Sequence, residues 1–441
     1  MNWFQPALDQ LQSLGSSPDT RLRSFFSAGR PIFIARAPGR LDVMGGIADY
    51  SGARVLELPL ACATFALVQP QAASGCEVAS RRGDRWDFYA TDLPLPAAAE
   101  QADRWATYVV GVVQALVPTE ATSGLRILIH SSVPEGRGVA SSAALEVAVA
   151  TAVAASLQQR IDPAELAVLC QRVENHVVGA PCGIMDQMTS ACGRMDRLLQ
   201  LRCQPGTIEG YLEVPAGYRF YGIDSGISHA VSGADYGTVR TAAFMGSRMI
   251  AAEHGWRGDY LADLTAAEFA KLGRSLPDQM SGEEFLERYG GITDTATRVA
   301  PERHYPVRRA AAHPVGEQVR VDRFAELLGV LARNPGSAKE LGELMYGSHQ
   351  SYSACGLGSD GTDRLVELVR AAGPERGVFG AKITGGGSGG TVAVFGTREA
   401  EGCVREIAAR YAAETGRAAN IFIESGPGAA EVGVLTASRH P

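Results

Sequence analysis

The stretch that most constrains this chain is Val133-Pro134-Glu135-Gly136-Arg137-Gly138-Val139-Ala140-Ser141-Ser142-Ala143-Ala144-Leu145-Glu146. A mostly apolar run, Leu125 to Ile129, precedes it and reads as a strand. Ala143 to Leu157, rich in alanine, valine and leucine, reads as a helix. Strand, glycine loop and helix N-terminus in that order aim backbone N–H groups and the positive end of a helix dipole at one point, which suits a phosphate. The hydroxyls of Ser141 and Ser142 add a phosphate contact or a magnesium ligand. A connecting turn capped by serine would have the same wording, and the loop alone leaves both readings open. It lacks the lysine of a Walker A loop, which disfavours a P-loop NTPase.

A length of 441 residues predicts two or three domains rather than one. Hydrophobic residues at 46% and charged residues at 20% allow a large core and exclude a disordered chain. The net charge of -7 argues against a nucleic-acid partner. The eight cysteines include no C-x-x-C pair, which suits neither a zinc site nor a disulfide framework. Met1 to Gln12 carries no secretory pattern. The longest apolar stretch is interrupted by Glu146 and is too short to span a bilayer. The expectation is a soluble cytoplasmic protein with no membrane partner; oligomeric state is not legible.

Two further glycine-rich stretches decide how the central loop is read. They are Ala37-Pro38-Gly39-Arg40-Leu41-Asp42-Val43-Met44-Gly45-Gly46-Ile47-Ala48-Asp49-Tyr50-Ser51-Gly52, and Lys382-Ile383-Thr384-Gly385-Gly386-Gly387-Ser388-Gly389-Gly390. With the central loop, in this order, they resemble the three motifs of the GHMP small-molecule kinases, most closely those of galactokinases and plant L-arabinokinases. The resemblance implies an α/β (α+β) fold of two lobes, divided here as 1–205 and 206–441, with the site in the cleft between them. It implies ATP and Mg²⁺, a small-molecule sugar as partner, and transfer of a phosphoryl group to an anomeric hydroxyl.

The same resemblance assigns roles residue by residue. Gly136, Arg137, Gly138, Val139, Ala140, Ser141 and Ser142 would hold the triphosphate, and Trp105 would lie near the adenine. Trp105 also reads as an ordinary core residue. Ser142 (or Ser141) and Glu174 would hold Mg²⁺, which prefers one or two carboxylates plus phosphate oxygens and water. Arg40 would lie beside the transferring phosphoryl group. Asp186, in the run Gly179-Ala180-Pro181-Cys182-Gly183-Ile184-Met185-Asp186-Gln187, matches the catalytic aspartate and would take or polarise the anomeric proton. Asp49 would bind ring hydroxyls, with Gly183 and Tyr236 close by. Tyr236 equally reads as a packed tyrosine, and His349 as a satisfied structural histidine.

Departures from the galactokinase pattern are informative. Arg137 and Ala140 stand where a small residue and a serine are usual, and Ser388 replaces an aromatic residue. Gly46 and Ile47 replace a Glu-His pair that faces the 6-hydroxymethyl group of galactose. L-Arabinose has the ring stereochemistry of galactose without that group, so the replacement fits a pentose, with Ile47 filling the vacated space. Restoring Glu and His at 46 and 47 is then expected to favour galactose. A galactokinase, and a non-catalytic sugar sensor on the same fold, are the alternatives.

Gly385, Gly387 and Gly390 satisfy G-x-G-x-x-G, but strand-like Val378 to Ile383 and Thr391 to Phe395 flank them, which predicts a turn between strands rather than a dinucleotide loop. In the first motif, Pro38 and Gly39 are expected to turn the chain sharply and leave Arg40 near a loop edge. The tail is expected to end in a strand from Ala419 to Ile423.

Overall fold

Arg54 to Gln71 is the longest strand of the protein, and it serves two partners in turn. The computed structural model describes residues 2–83, 85–92, 104–118, 124–228 and 234–439. Its strands are β1 (Pro31–Met44), β2 (Arg54–Gln71), β3 (Cys76–Arg82), β4 (Arg85–Thr91), β5 (Gly124–Ser131), β6 (Arg197–Arg202), β7 (Thr207–Glu213), β8 (Tyr218–Asp224), β9 (Met280–Ser281), β10 (His304–Tyr305), β11 (Val378–Ile383), β12 (Thr391–Thr397), β13 (Ile421–Phe422) and β14 (Val434–Ser438). The first sheet runs β14-β1-β2-β5-β3-β4. The second half of β2 pairs with β5, and its first half pairs with β6, which pairs with β7. The second sheet runs β11-β12-β8-β13, all antiparallel.

The helices are α1 (Gln5–Ser13), α2 (Thr20–Arg23), α3 (Arg104–Leu116), α4 (Ser141–Ser156), α5 (Pro163–Val173), α6 (Met185–Cys192), α7 (Ala234–His254), α8 (Ala266–Leu272), α9 (Gly282–Tyr289), α10 (Val307–Val330), α11 (Ser337–Ala354), α12 (Asp360–Ala372), α13 (Glu401–Thr415) and α14 (Ala429–Val432). Local chemistry explains several starts. Asp162 accepts from the N–H groups of Ala164 and Glu165 with Pro163 in the first turn, and Ser359 and Thr362 form a capping box on α12. α4 is apolar on nearly every face, as a fully buried helix must be. It packs under β1 and β2 with α3, α5 and α6 around a core that includes Val68, Ile127, Val149 and Cys170.

A second apolar cluster belongs to both lobes. Leu41, Met44, Leu56 and Val139 of the first meet Phe220, Phe324, Met345 and Phe395 of the second. Beside it, Lys382 of β11 reaches Asp42 of β1 at 2.6 Å, with neither side chain exposed. The backbone N–H of Asp42 donates to Thr384 Oγ1 at 2.7 Å. The glycine-rich third motif therefore sits on the first motif, as a turn between the antiparallel strands β11 and β12 rather than as a dinucleotide loop.

Three expectations change. The boundary at 205/206 falls inside the β6–β7 hairpin, so sheet membership changes only between Glu213 and Tyr218. The tail does not end at β13: α14 and β14 follow, and β14 pairs with β1 to complete the first sheet. The chain does not turn at Pro38 and Gly39. β1 continues through them with a β-bulge between Pro38 and Arg40, and Arg40 lies buried inside the strand. The bulge frees the Arg40 N–H from the ladder, and it donates to Val139 O at 3.1 Å.

Removing one member of a buried ion pair leaves the other uncompensated, at a cost of about 3–5 kcal/mol. Lys382→Met is therefore expected to lower the free energy of unfolding by that order, and Asp42→Asn in the same chain to recover part of the loss. Equilibrium urea unfolding of the parent and the two variants checks this.

Candidate active site

The bulge in β1, the loop before α4 and the first turn of α6 converge on Arg40. Its Nε and Nη2 both reach Asp186 Oδ1, at 2.9 and 2.7 Å, and its Nη1 donates to Gly138 O at 2.6 Å. Glu57 of β2 lies 3.4 Å from Nε on the buried side. Burial works against the guanidinium charge, but Asp186, Glu57 and Asp42 outweigh it and raise the pKa. Burial, then the Asp42 charge, pushes the Glu57 carboxyl well above the usual carboxylate range.

The loop before α4 differs from a serine-capped turn. The N-cap is Ala140, in the left-handed region at φ 60°, and no side chain caps the helix. Serine capping is thus excluded, and a helix N-terminus without a side-chain cap is compatible with an anion. Ser142 lies beside Glu174 and works to lower its pKa; Glu174 starts a single π-helical turn, Glu174–Val178, after α5. One hydroxyl and one carboxylate beside a bare helix N-terminus fit Mg²⁺ shared with phosphate oxygens. Glu174 also accepts from Gln187 Nε2 at 2.6 Å, and the same amide reaches Glu146 at 3.3 Å. Glu146 is wholly buried in α4. Burial holds both carboxyls above their ordinary range, reinforced by Glu174 at Glu146 and by Asp186 at Glu174.

Arg137 pairs with Asp224 of β8 at 3.4 Å, and its carbonyl accepts from Thr391 Oγ1 at 2.8 Å. Its charge therefore also ties the loop before α4 to the second sheet. Trp105 is half-buried at the start of α3, against the core of the first lobe; the Arg104 side chain lies outside the described residues.

Asp49 sits in the 3₁₀ turn Gly46–Ser51 and is buried. A Cβ on Gly183 would lie 1.7 Å from Asp49 Oδ2, so the loop before α6 can approach only as glycine. Oδ1 of Asp49 is buried with no hydrogen-bond partner, an acceptor fit for a sugar hydroxyl. Burial, then the nearby Asp186 charge, pushes the Asp49 carboxyl up to about 7. Tyr236 joins it: its ring packs edge-on against Tyr50 at 5.8 Å, and Asp49 helps to raise its pKa. Arg240 of α7 grips Asp294 through two 2.8 Å bonds and donates to Cys182 O at 2.9 Å, which fixes the Gly183 loop from the second lobe.

Ile47 is not where the sequence suggested. It packs into an apolar cluster of the second lobe with Val239, Leu357 and Ile383, and does not fill space vacated at position 46. That space holds the Tyr352 hydroxyl, 1.6 Å from where a Gly46 Cβ would stand. A glutamate restored at 46 would collide with it. His349 pairs with Asp363 at 3.1 Å, a structural role.

Glu57, Glu146, Lys382, Tyr352 and the Arg240–Asp294 pair were missed by sequence reasoning. The first three carried a signal, a charge inside an otherwise apolar strand or helix.

Comparison with known proteins now has a geometry to explain. Residues 107–194 match the GHMP kinases N terminal domain, 325–413 the GHMP kinases C terminal domain, and 21–70 the galactokinase galactose-binding signature. A galactokinase of Chloroflexus aggregans (strain MD-66 / DSM 9485) is 31% identical over 88% of this chain and 90% of its own length. The chain belongs to the GHMP kinase family. An L-arabinokinase of Arabidopsis thaliana is 40% identical over 94% of this chain, which spans only 47% of that relative's length. The crystal structure of Lactococcus lactis galactokinase complexed with galactose superposes with a TM-score of 0.78 at 20% identity, covering 99% of this chain and all of that one. The crystal structure of L. major mevalonate kinase in complex with R-mevalonate superposes with a TM-score of 0.56 at 16% identity, over 90% of this chain and 96% of that one. Both share the two-lobed GHMP kinase fold. Among the described residues, no helix is long and apolar enough to cross a membrane.

Asp49 sets a pH dependence. Between an unfolded pKa of about 3.8 and a folded value of about 7, the folded chain holds a proton that the unfolded chain has lost. Its contribution to stability is therefore present below pH 4 and is lost as pH rises through 7. Asp49→Asn, always neutral, is expected to flatten the fall and to raise the thermal midpoint of the ligand-free protein at pH 8. Melting curves from pH 5 to 8 check this.

Proposed function

We propose that the protein is an ATP-dependent sugar 1-kinase whose preferred sugar is L-arabinose, giving L-arabinose 1-phosphate. The observation that carries the kinase reading is Arg40 bound at once to Asp186 and to the Gly138 carbonyl of the phosphate loop. One cation thus links the group that handles the sugar hydroxyl to the loop that holds the phosphates. The pentose is supported by the Arabidopsis thaliana relative and by Gly46, which has no room for a side chain that would reach an exocyclic hydroxyl. A galactokinase is the second reading, favoured by the galactose-binding signature over residues 21–70.

Such catalysis is mostly positioning and charge stabilisation. Asp49, aided by Tyr236, takes the ring hydroxyls and fixes the anomeric oxygen in front of Asp186. Asp186 accepts or polarises the anomeric proton while that oxygen bonds to the γ-phosphorus. The bond from phosphorus to the bridging oxygen breaks, and ADP departs with that electron pair. Arg40 faces the negative charge spread over the transferring group. Gly136 to Ser142 hold the triphosphate through backbone N–H groups. Ser142 and Glu174 would hold Mg²⁺, whose charge offsets that of the phosphates.

Asp186→Asn is expected to lower turnover ~10²–10⁴-fold while ATP affinity stays near that of the parent. Coupled ADP release and nucleotide titration measure the two. Glu174→Gln is expected to raise the Mg²⁺ concentration needed for half-maximal rate, because an amide is a poorer ligand for a hard cation. Across a panel of sugars, L-arabinose should give the highest kcat/KM; equal or better use of galactose favours the second reading.

A further inference from the structure

We propose that Tyr352 is a specificity-determining residue of the sugar pocket: its hydroxyl stands in for a side chain at position 46 and closes that end of the pocket to a sugar carrying one more carbon. The inference rests on the sugar-kinase reading above and deepens it.

The geometry is one of mutual exclusion. A Cβ at Gly46 would lie 1.6 Å from Tyr352 Oη, 2.6 Å from Asp42 Oδ2 and 2.8 Å from Tyr352 Cζ. Gly46 also sits at φ 46°, where a side chain is strained in any case. Glycine at 46 and tyrosine at 352 are therefore one feature written 306 residues apart, not two independent choices.

The hydroxyl is a fixed wall rather than a movable one. It accepts from the Ile47 N–H at 2.8 Å, and its own proton has Gly385 O at 3.1 Å and Asp42 Oδ2 at 3.4 Å as acceptors. Asp42 is already held by Lys382 at 2.6 Å, which leaves Gly385 as the better acceptor. The ring is fully buried, packed edge-on against His313 at 5.2 Å with the Lys382 ammonium 5.2 Å from its centroid. Tyr352 thereby joins all three parts that meet here: the turn after β1, the glycine-rich turn between β11 and β12, and α11. Asp49 lies on that same turn, three residues from the one whose slot Tyr352 fills. The hydroxyl thus sets both how deep the turn sits and how much room is left beside the ring hydroxyls. The hydroxyl is itself wholly buried, so it acts on the sugar through the position of this turn: a hexose needs room for an exocyclic carbon that a turn held at this depth does not leave.

The test has two arms on the full chain. In the first, Tyr352→Phe removes only the oxygen. The expected result is a KM for L-arabinose raised about tenfold with kcat within about threefold of the parent, and a galactose-to-arabinose ratio of kcat/KM raised about tenfold. An unmoved ratio in an active enzyme overturns the specificity role. In the second, Gly46→Ala is made in the parent and in Tyr352→Leu, and thermal midpoints are compared. The alanine is expected to lower the midpoint strongly in the parent and much less when the tyrosine is gone; additive effects overturn the steric pairing. The melting arm needs no substrate. If the parent phosphorylates neither sugar, the sugar reading fails and the specificity role falls with it, whereas an active parent with an unmoved ratio removes Tyr352 alone.

Discussion

Arg40 is the interaction on which the rest of the site depends. It is a buried cation with its donors directed to Asp186 and Gly138 O, and with Glu57 behind it. A guanidinium so desolvated is tolerable only because carboxylates surround it. The bulge in β1 supplies the position, because a regular strand would have kept the Arg40 N–H in the ladder and away from Val139 O. Backbone irregularity, buried charge and phosphate loop are therefore parts of one arrangement.

The second lobe supports this arrangement from behind. Lys382 reaches Asp42, Arg240 holds the Cys182 carbonyl, and Arg137 reaches across to Asp224. Each tie joins a residue of the first lobe to an element of the second. The apolar cluster shared by Leu41, Met44, Phe324 and Phe395 excludes water from the base of these ties, which strengthens them. Motion of one lobe against the other would pull on charged side chains that have little solvent to fall back on.

Much of this was legible in the sequence. The three glycine-rich motifs gave the family resemblance and the two lobes, and the strand-loop-helix around Gly136 was found where expected. The resemblance put Arg40 and Asp186 at one site, but their direct pairing was not legible. What escaped had a common cause. Lys382 and Asp42 are 340 positions apart, and nothing local tells a lysine in an apolar strand that its partner is an aspartate in another sheet. Glu146 looked like an interruption in an apolar helix, when its partner Gln187 lies 41 residues on. Ile47 was misplaced because a vacated volume was assigned to the neighbouring residue in sequence rather than to Tyr352, which enters from α11. Periodicity reports which face is buried and not what it is buried against.

The pairing of β14 with β1 has a consequence for how such a chain is made. Residues 434–438 pair with Pro31–Ala35 of the strand that carries Arg40, and they follow the whole of the second sheet in sequence. Until they are made, Pro31–Ala35 present a bare edge with unpaired amide groups, ready to recruit a strand from elsewhere. The first lobe thus needs residues that follow the second lobe in sequence before its sheet is whole. A nascent or shortened chain that stops before residue 434 has the whole active site in its sequence and an adhesive flank on its surface.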